Sequence, residues 1–168
     1  MQWISTKGGP LVVLPRRLAI GWNGASPERR DYDQACSVQD YLGVVPWEGR
    51  QILVLGDEPF QATTWMQAPR IGILRWMYAP SEQALLQCLE PSIWEQPIEE
   101  ARWEAVEAEH VLIDSGLRGT AATEVLQLAL TPGDYRIATY LVKPSEDVAG
   151  LVHAFDAAPR SIRSIDKK

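Results

Sequence analysis

The segment 131-TPGDYRIATYLVKP-144 decides the fold class of this 168-residue chain. Residues 131–134 carry a strong turn signal, since Pro, Gly and Asp each favour turn backbone for a physical reason of their own. Residues 135–142 follow with aromatic and β-branched side chains, which favour a strand. The segment therefore predicts a strand that leaves a tight turn.

Similar runs lie on either side of this strand. Leu126, Leu128 and Leu130 alternate with other residues before the turn, and residues 148–155 form a third run after another turn. Three strands joined by tight turns predict an antiparallel meander. Further upstream, residues 103–114 are long enough for one strand, while residues 62–66 and 71–78 predict a hairpin.

The first sixty residues add more β-type runs. Residues 2–5 and 11–14 flank a glycine pair and predict an N-terminal hairpin, with 11–14 as an edge strand because Pro10 and Pro15 bracket it. The segments YLGVVPW and QILVLG also predict strands. Residues 52–55 are apolar on both faces, so we expect them in the middle of a sheet.

Two segments favour short helices. Residues 31–41 begin with Asp31 and Asp33, either of which suits an N-cap and complements the helix dipole. Residues 81–89 show apolar side chains at helical spacing after Pro80, and Pro91 ends the helix.

Together the patterns predict an α+β chain that is mostly β. We expect antiparallel sheets, sandwich-like or as a partly open barrel, with one or two short helices. No repeat or linker interrupts the chain, so residues 1–156 are predicted to form a single domain and residues 157–168 a flexible basic C-terminal tail.

The formal net charge of −6 is unevenly distributed. The last twelve residues carry +3, from four basic residues and one acid, which leaves −9 for residues 1–156. An acidic body argues against nucleic acid as a partner and suits attraction of a basic protein, although acidity for solubility alone is common. No apolar run approaches 18 residues, so we expect no contact with a membrane and a cytoplasmic location.

The residues that could carry catalysis form no recognisable set. Lys7 precedes Gly8 and Gly9 and a strand follows them, whereas a phosphate loop needs the lysine after the glycines and a helix next. His110 and His153 lie in predicted strands, where a structural histidine is the commoner case. Cys36 and Cys88 are predicted to be free, buried thiols rather than a disulfide. No metal or cofactor motif is present, and we expect no enzyme activity.

Carboxylates are the most notable polar feature. Residues 90–114 contain eight acids against Arg102 alone, and they indicate either a solvated face or an acidic patch that attracts a basic partner. Those selected as partner-binding candidates from this stretch are Glu104, Glu107 and Glu109. A second set of candidates comprises Asp31, Asp33, Asp57 and Glu58. Trp22 or Trp47 would supply a buried anchor in such an interface.

Several stretches together resemble one family. The segments WISTKGGPLVVLP, DYDQACSVQDYLGVV, LVLGDEPFQATTW and TPGDYRIATYLVKP…LVHAF are similar to the immunity protein 21 family of bacterial polymorphic-toxin systems, across about residues 2–155. The resemblance implies a mostly β fold and an antidote that binds a cognate toxin protein. It implies no catalytic residues.

The leading hypothesis is therefore a stoichiometric inhibitor of a toxin, acting as a monomer or weak homodimer without a cofactor. A carbohydrate or small-ligand module that uses exposed tryptophans is the first alternative. A small hydrolase that uses Cys36 or a His–Asp pair is the second.

Overall fold

The computed structural model describes residues 1–28, 30–56 and 58–158. The strands of the described residues are β1 (Leu11–Pro15), β2 (Gly43–Trp47), β3 (Arg50–Leu55), β4 (Gln61–Gln67), β5 (Arg70–Tyr78), β6 (Glu99–Ala105), β7 (Glu109–Asp114), β8 (Leu126–Ala129), β9 (Gly133–Ser145) and β10 (Val148–Ala157). The α-helices are α1 (Asp31–Cys36) and α2 (Glu82–Leu85), and 3-10 turns cover Arg16–Gly21, Leu86–Leu89 and Pro91–Ile93.

The strands form two antiparallel sheets. The first sheet has the order β2-β3-β1-β7-β8 and the second has the order β4-β5-β10-β9-β6. Leu53 and Leu112 of the first sheet share a buried cluster with Ile73, Ile137 and Phe155 of the second. The prediction of a mostly β, sandwich-like fold is confirmed, and within the described residues neither sheet closes into a barrel.

Strand β1 lies in the middle of the first sheet. All five of its residues are buried, and it pairs with both β3 and β7. An apolar strand of this kind needs cover on both faces. The second sheet covers one face, and Trp22 and Ala35 pack over the other. The prediction that Pro10 and Pro15 mark an edge strand is wrong, because the two prolines only bound the strand at its ends.

The N-terminal segment crosses between the two sheets. Ile4 exchanges two backbone hydrogen bonds of 2.9 Å with Ala62 of β4, whereas β1 belongs to the other sheet. The glycine pair is a turn, as predicted, and Gly8 has φ of +110°. The predicted N-terminal hairpin is wrong, since this turn carries the chain from one sheet to the other.

Two further predictions are wrong because consecutive strands lie in different sheets. Residues 103–114 are not one strand: β6 ends at Ala105 in the second sheet, and β7 begins at Glu109 in the first. Strands β8 and β9 also lie in different sheets, so the predicted meander reduces to the β9–β10 hairpin. A pattern of local polarity does not show that a short link crosses the core.

The hairpin of β4 and β5 is confirmed, as is the interior place of β3. The helix predicted at residues 81–89 is α2 followed by a 3-10 turn, and Ser81 Oγ accepts the N–H of Ala84 at 3.2 Å. Helix α1 is shorter than predicted and ends at Cys36. Its N-cap is Arg30, so the prediction of an Asp cap is wrong.

The prediction of a C-terminal tail concerns residues 157–168. Ala157 is the last residue of β10, and residues 159–168 lie outside the described residues. Helices long and apolar enough to cross a membrane are absent from the described part of the chain.

Candidate partner-binding surfaces

The link between β6 and β7 carries a cluster of mixed charge. Glu107 is the least exposed of the predicted acids here, and its Oε1 lies 2.7 Å from Arg17 Nε and 3.9 Å from Arg50 Nη1. Glu109 is exposed and lies 3.5 Å from Arg16. A cleft of about 650 Å³ is lined by Arg16, Arg17, Glu107 and Glu109. Because Arg17 and Arg50 flank it, Glu107 is less available to a basic partner than the sequence indicates, whereas Glu109 remains exposed beside Arg16.

Glu104 has a different setting. It is exposed on β6, and Asp134 of β9 lies directly opposite it in the sheet. The next charged pair on the same face of these strands is Arg102 and Arg136, and Arg136 binds Glu100 through two nitrogens and lies 3.6 Å from Asp156. This contact lowers the pKa of Glu100 and raises that of Arg136. Within the described residues, Glu104 and Asp134 have no ion-pair partner.

The second acidic set is divided between the interior and the surface. Asp31 is buried, and its carboxylate accepts the N–H of Asn23 at 2.8 Å, so it braces the chain before α1 instead of facing solvent. Asp33 is exposed and lies 3.7 Å from Arg30. Glu58 is exposed, while Asp57 lies outside the described residues. No hydrogen bond or ion pair found among the described residues joins this set to the β6–β7 link.

Trp22 and Trp47 lie in the core. Their rings pack 5.6 Å apart, and Trp22 Nε1 donates to the carbonyl of Ser115 at 2.9 Å. They are 1% and 4% exposed. Neither ring therefore offers the accessible surface that an anchor for a partner needs in this conformation. All seven tryptophans lie in the described residues; four are buried and Trp3, Trp76 and Trp94 are half-buried, so none presents the fully exposed ring that the carbohydrate alternative expects.

The candidates for a hydrolase do not form a catalytic set. Cys36 is exposed on α1 and Cys88 is buried, and both are free thiols, so only the burial predicted for Cys36 is wrong. His110 packs edge-on against Trp103 at 5.1 Å, and burial lowers its pKa to about 4. His153 Nδ1 lies 2.9 Å from Thr139 Oγ1, but both side chains are fully buried. In the described part of the chain, neither histidine is hydrogen-bonded to a carboxylate.

Sequence reasoning missed the structural role of two acids. Glu99 lies in the acidic stretch, yet its carboxylate accepts the N–H groups of Tyr41 and Leu42 at 3.1 and 2.9 Å. Asp114, in the same stretch, accepts the N–H groups of Lys7 and Gly116 at 3.2 and 2.9 Å. The contacts with Tyr41, Leu42 and Lys7 join residues far apart along the chain, so no local signal announces them, whereas the Asp114–Gly116 contact spans only two residues. Across the described ranges, no group of three His, Cys, Asp or Glu side chains could hold a metal ion.

Comparison with known proteins gives one match. Residues 2–148 match the family described as immunity protein 21. No curated protein and no solved structure matches the chain. Since the matched region covers most of the 168 residues, the chain belongs to the immunity protein 21 family.

Proposed function

We propose that this chain neutralises a cognate bacterial toxin by binding it as a stoichiometric protein inhibitor, and that it catalyses no reaction. Membership of the immunity protein 21 family is the observation that carries the proposal. The acidic balance of the chain, with a formal net charge of −6, supports a basic surface on the toxin.

The binding surface that we favour is the acidic edge, which we define as Glu104 and Asp134. Both carboxylates are exposed and directly opposed, and neither has a cationic partner among the described residues. A lysine or arginine of the toxin placed between them would relieve the repulsion and form charge-assisted hydrogen bonds. Such charges act mainly on the association rate.

The other exposed candidates, Asp33, Glu58 and Glu109, would contribute to long-range attraction. Glu107 is paired with Arg17 and Arg50, so its contribution would be to position these two arginines. We further propose that the protein acts in the cytoplasm, in a polymorphic-toxin system, as a monomer or weak homodimer without a cofactor.

Co-expression with each toxin domain encoded beside this gene tests the proposal. We expect one of them to stop growth when expressed alone and to lose its toxicity when this chain is present, with a 1:1 complex after purification. Absence of both rescue and complex for every neighbouring toxin would reject the proposed function.

A pair of double variants tests the surface. Glu104→Lys/Asp134→Lys alters the acidic edge at the start of β9, and Glu146→Lys/Asp147→Lys alters the turn at its other end by the same charge. We expect the first to slow association at least ten-fold more than the second at low salt, a gap that narrows as salt is added. Equal effects would move the binding surface elsewhere and leave the toxin-binding function intact.

A further inference from the structure

A row of polar side chains crosses the inner face of the second sheet. Glu99 on β6, Thr139 on β9 and His153 on β10 occupy directly opposed positions on three neighbouring strands. Arg75 lies on β5, two residues along from the position that pairs with His153. Apolar side chains make up most of the surrounding core, where His110 against Trp103 is a further buried polar side chain. We call these four residues the polar row.

The two charged residues of the row, Arg75 and Glu99, form hydrogen bonds with backbone groups next to the first sheet. Arg75 Nη1 donates to the carbonyl of Tyr41 at 3.3 Å, and its Nη2 donates to the carbonyl of Glu58. Glu99 accepts the N–H groups of Tyr41 and Leu42. Tyr41 precedes the β2–β3 hairpin and Glu58 follows it. Side chains of the second sheet therefore form hydrogen bonds at both ends of a hairpin that belongs to the first sheet.

His153 lies between Arg75 and Glu99 in this row, and among the described residues no carboxylate is hydrogen-bonded to its ring. Its side chain is 0% exposed, Nδ1 contacts Thr139 Oγ1, and Nε2 has no hydrogen-bond partner within the described residues. Burial, and then the charge of Arg75, hold the pKa of His153 well below its usual value. An imidazolium here would add a second positive charge beside the guanidinium in a medium of low dielectric constant.

The groups that face His153 explain why no neighbour offsets that charge. Arg75 is the charged residue on the inner face of β5, and Thr139 separates His153 from Glu99 on β6. The opposing strands β1 and β3 present buried leucines such as Leu11 and Leu53. Helix α2 and the 3-10 turn at Leu86–Leu89 pack on the outer face of this sheet.

We propose that the polar row is an acid-sensitive latch, in which protonation of His153 drives Arg75 away from Tyr41 and Glu58 and releases the β2–β3 hairpin from the second sheet. The hairpin is suited to leave as a unit. Strand β2 is at the edge of its sheet, and β3 pairs with β1 over only residues 11–13. Hairpin β9–β10 lies inside the second sheet and pairs along almost its full length.

The latch has a defined proton dependence. The closed state excludes a proton that His153 binds at its ordinary pKa of about 6.5 once the hairpin is released. The opening equilibrium constant should then rise about ten-fold for each pH unit below 6.5, or about 30-fold at pH 5 relative to pH 8.

Hydrogen–deuterium exchange measured by mass spectrometry on the full chain tests this directly. After correction for the intrinsic pH dependence of amide exchange, we expect protection of the β2–β3 amides to fall about 30-fold between pH 8 and pH 5 and to stay well below that of the β9–β10 amides, which exchange only through global unfolding. His153→Asn keeps a hydrogen-bonding group for Thr139 and cannot bind the proton, so its β2–β3 protection should not depend on pH. His110→Asn, at the other buried histidine, should retain the wild-type response.

Arg75→Gln removes the charged end of the row, and we expect the hairpin to exchange rapidly at pH 8 already. Equal protection of the two hairpins at every pH, or an unchanged pH response in His153→Asn, would overturn the latch. If His153→Asn does not fold, side-chain nitrogen NMR of the wild type decides: the proposal requires His153 to stay neutral in the closed state, and titration near pH 6.5 with unchanged β2–β3 amides would refute it. The latch concerns the chain alone, so this result does not depend on the toxin.

Discussion

Glu104 and Asp134 face each other directly across strands β6 and β9, with both carboxylates exposed. Like charges in directly opposed positions of a sheet destabilise it. Neither carboxylate forms an ion pair within the described residues, and Arg102 and Arg136 occupy the next opposed positions on the same face.

Replacing one of these acids should make the free protein more stable. We expect Asp134→Asn to raise the free energy of unfolding by a few tenths of a kcal/mol, because it removes one of two directly opposed like charges. Urea unfolding at low salt measures the change, and Asp147→Asn in the β9–β10 turn is the matched control. A loss of stability would show that Asp134 has a structural role that its exposure does not reveal.

Trp22 should matter for stability instead of partner contact. Trp22→Ala removes a ring that packs on Trp47 and donates to Ser115, so we expect a loss of about 3–5 kcal/mol in the free energy of unfolding. Ile20→Ala, at a neighbouring residue that is 71% exposed, should change stability by less than about 0.5 kcal/mol. Retained stability with lost toxin binding would instead restore Trp22 as an anchor.

His110 should make the protein less stable in acid. Its pKa in the folded chain is about 4, below its ordinary value, so between pH 6.5 and pH 4 the unfolded chain binds a proton that the folded chain excludes. Its contribution is complete above pH 6.5 and is lost as the pH falls, by up to about 1.4 kcal/mol per pH unit. Chemical unfolding across this range measures the slope, which His110→Gln should reduce by one proton. An identical slope in the variant would contradict the burial of His110.

The two thiols should react at very different rates. Cys36 is exposed, whereas Cys88 is buried and desolvation raises the pKa of its thiol to about 11. Because the thiolate is the reactive form, an aromatic disulfide reagent should titrate one thiol in the native protein and two in denaturant. Cys36→Ser should abolish the native reaction. Two fast thiols in the native protein would show that the segment over Cys88 opens readily.

The structural features that the sequence predicts correctly are those that depend on residues close together along the chain. The β4–β5 and β9–β10 hairpins are found where turn residues join apolar runs, and Ser81 caps its helix as its type and position indicate. Each of these features forms over a few residues, so local preferences decide them.

The assignment of strands to sheets could not be predicted in this way. The links at residues 106–108 and 130–132 carry the chain across the core, although they differ little from hairpin turns in composition. The same limit applies to the site. Glu99 and Glu104 are both glutamates of the same acidic stretch, and the sequence does not distinguish their roles. Glu99 accepts hydrogen bonds from the N–H groups of Tyr41 and Leu42, whereas Glu104 faces Asp134 in solvent.

Stoichiometric neutralisation is tested by titrating a purified toxin domain encoded beside this gene with the purified chain while following the toxin's activity. We expect activity to fall linearly to zero at one chain per toxin, with Glu104→Lys/Asp134→Lys reaching the same end point through slower association. Full toxin activity in the presence of excess chain, for every neighbouring toxin, would contradict the proposed role.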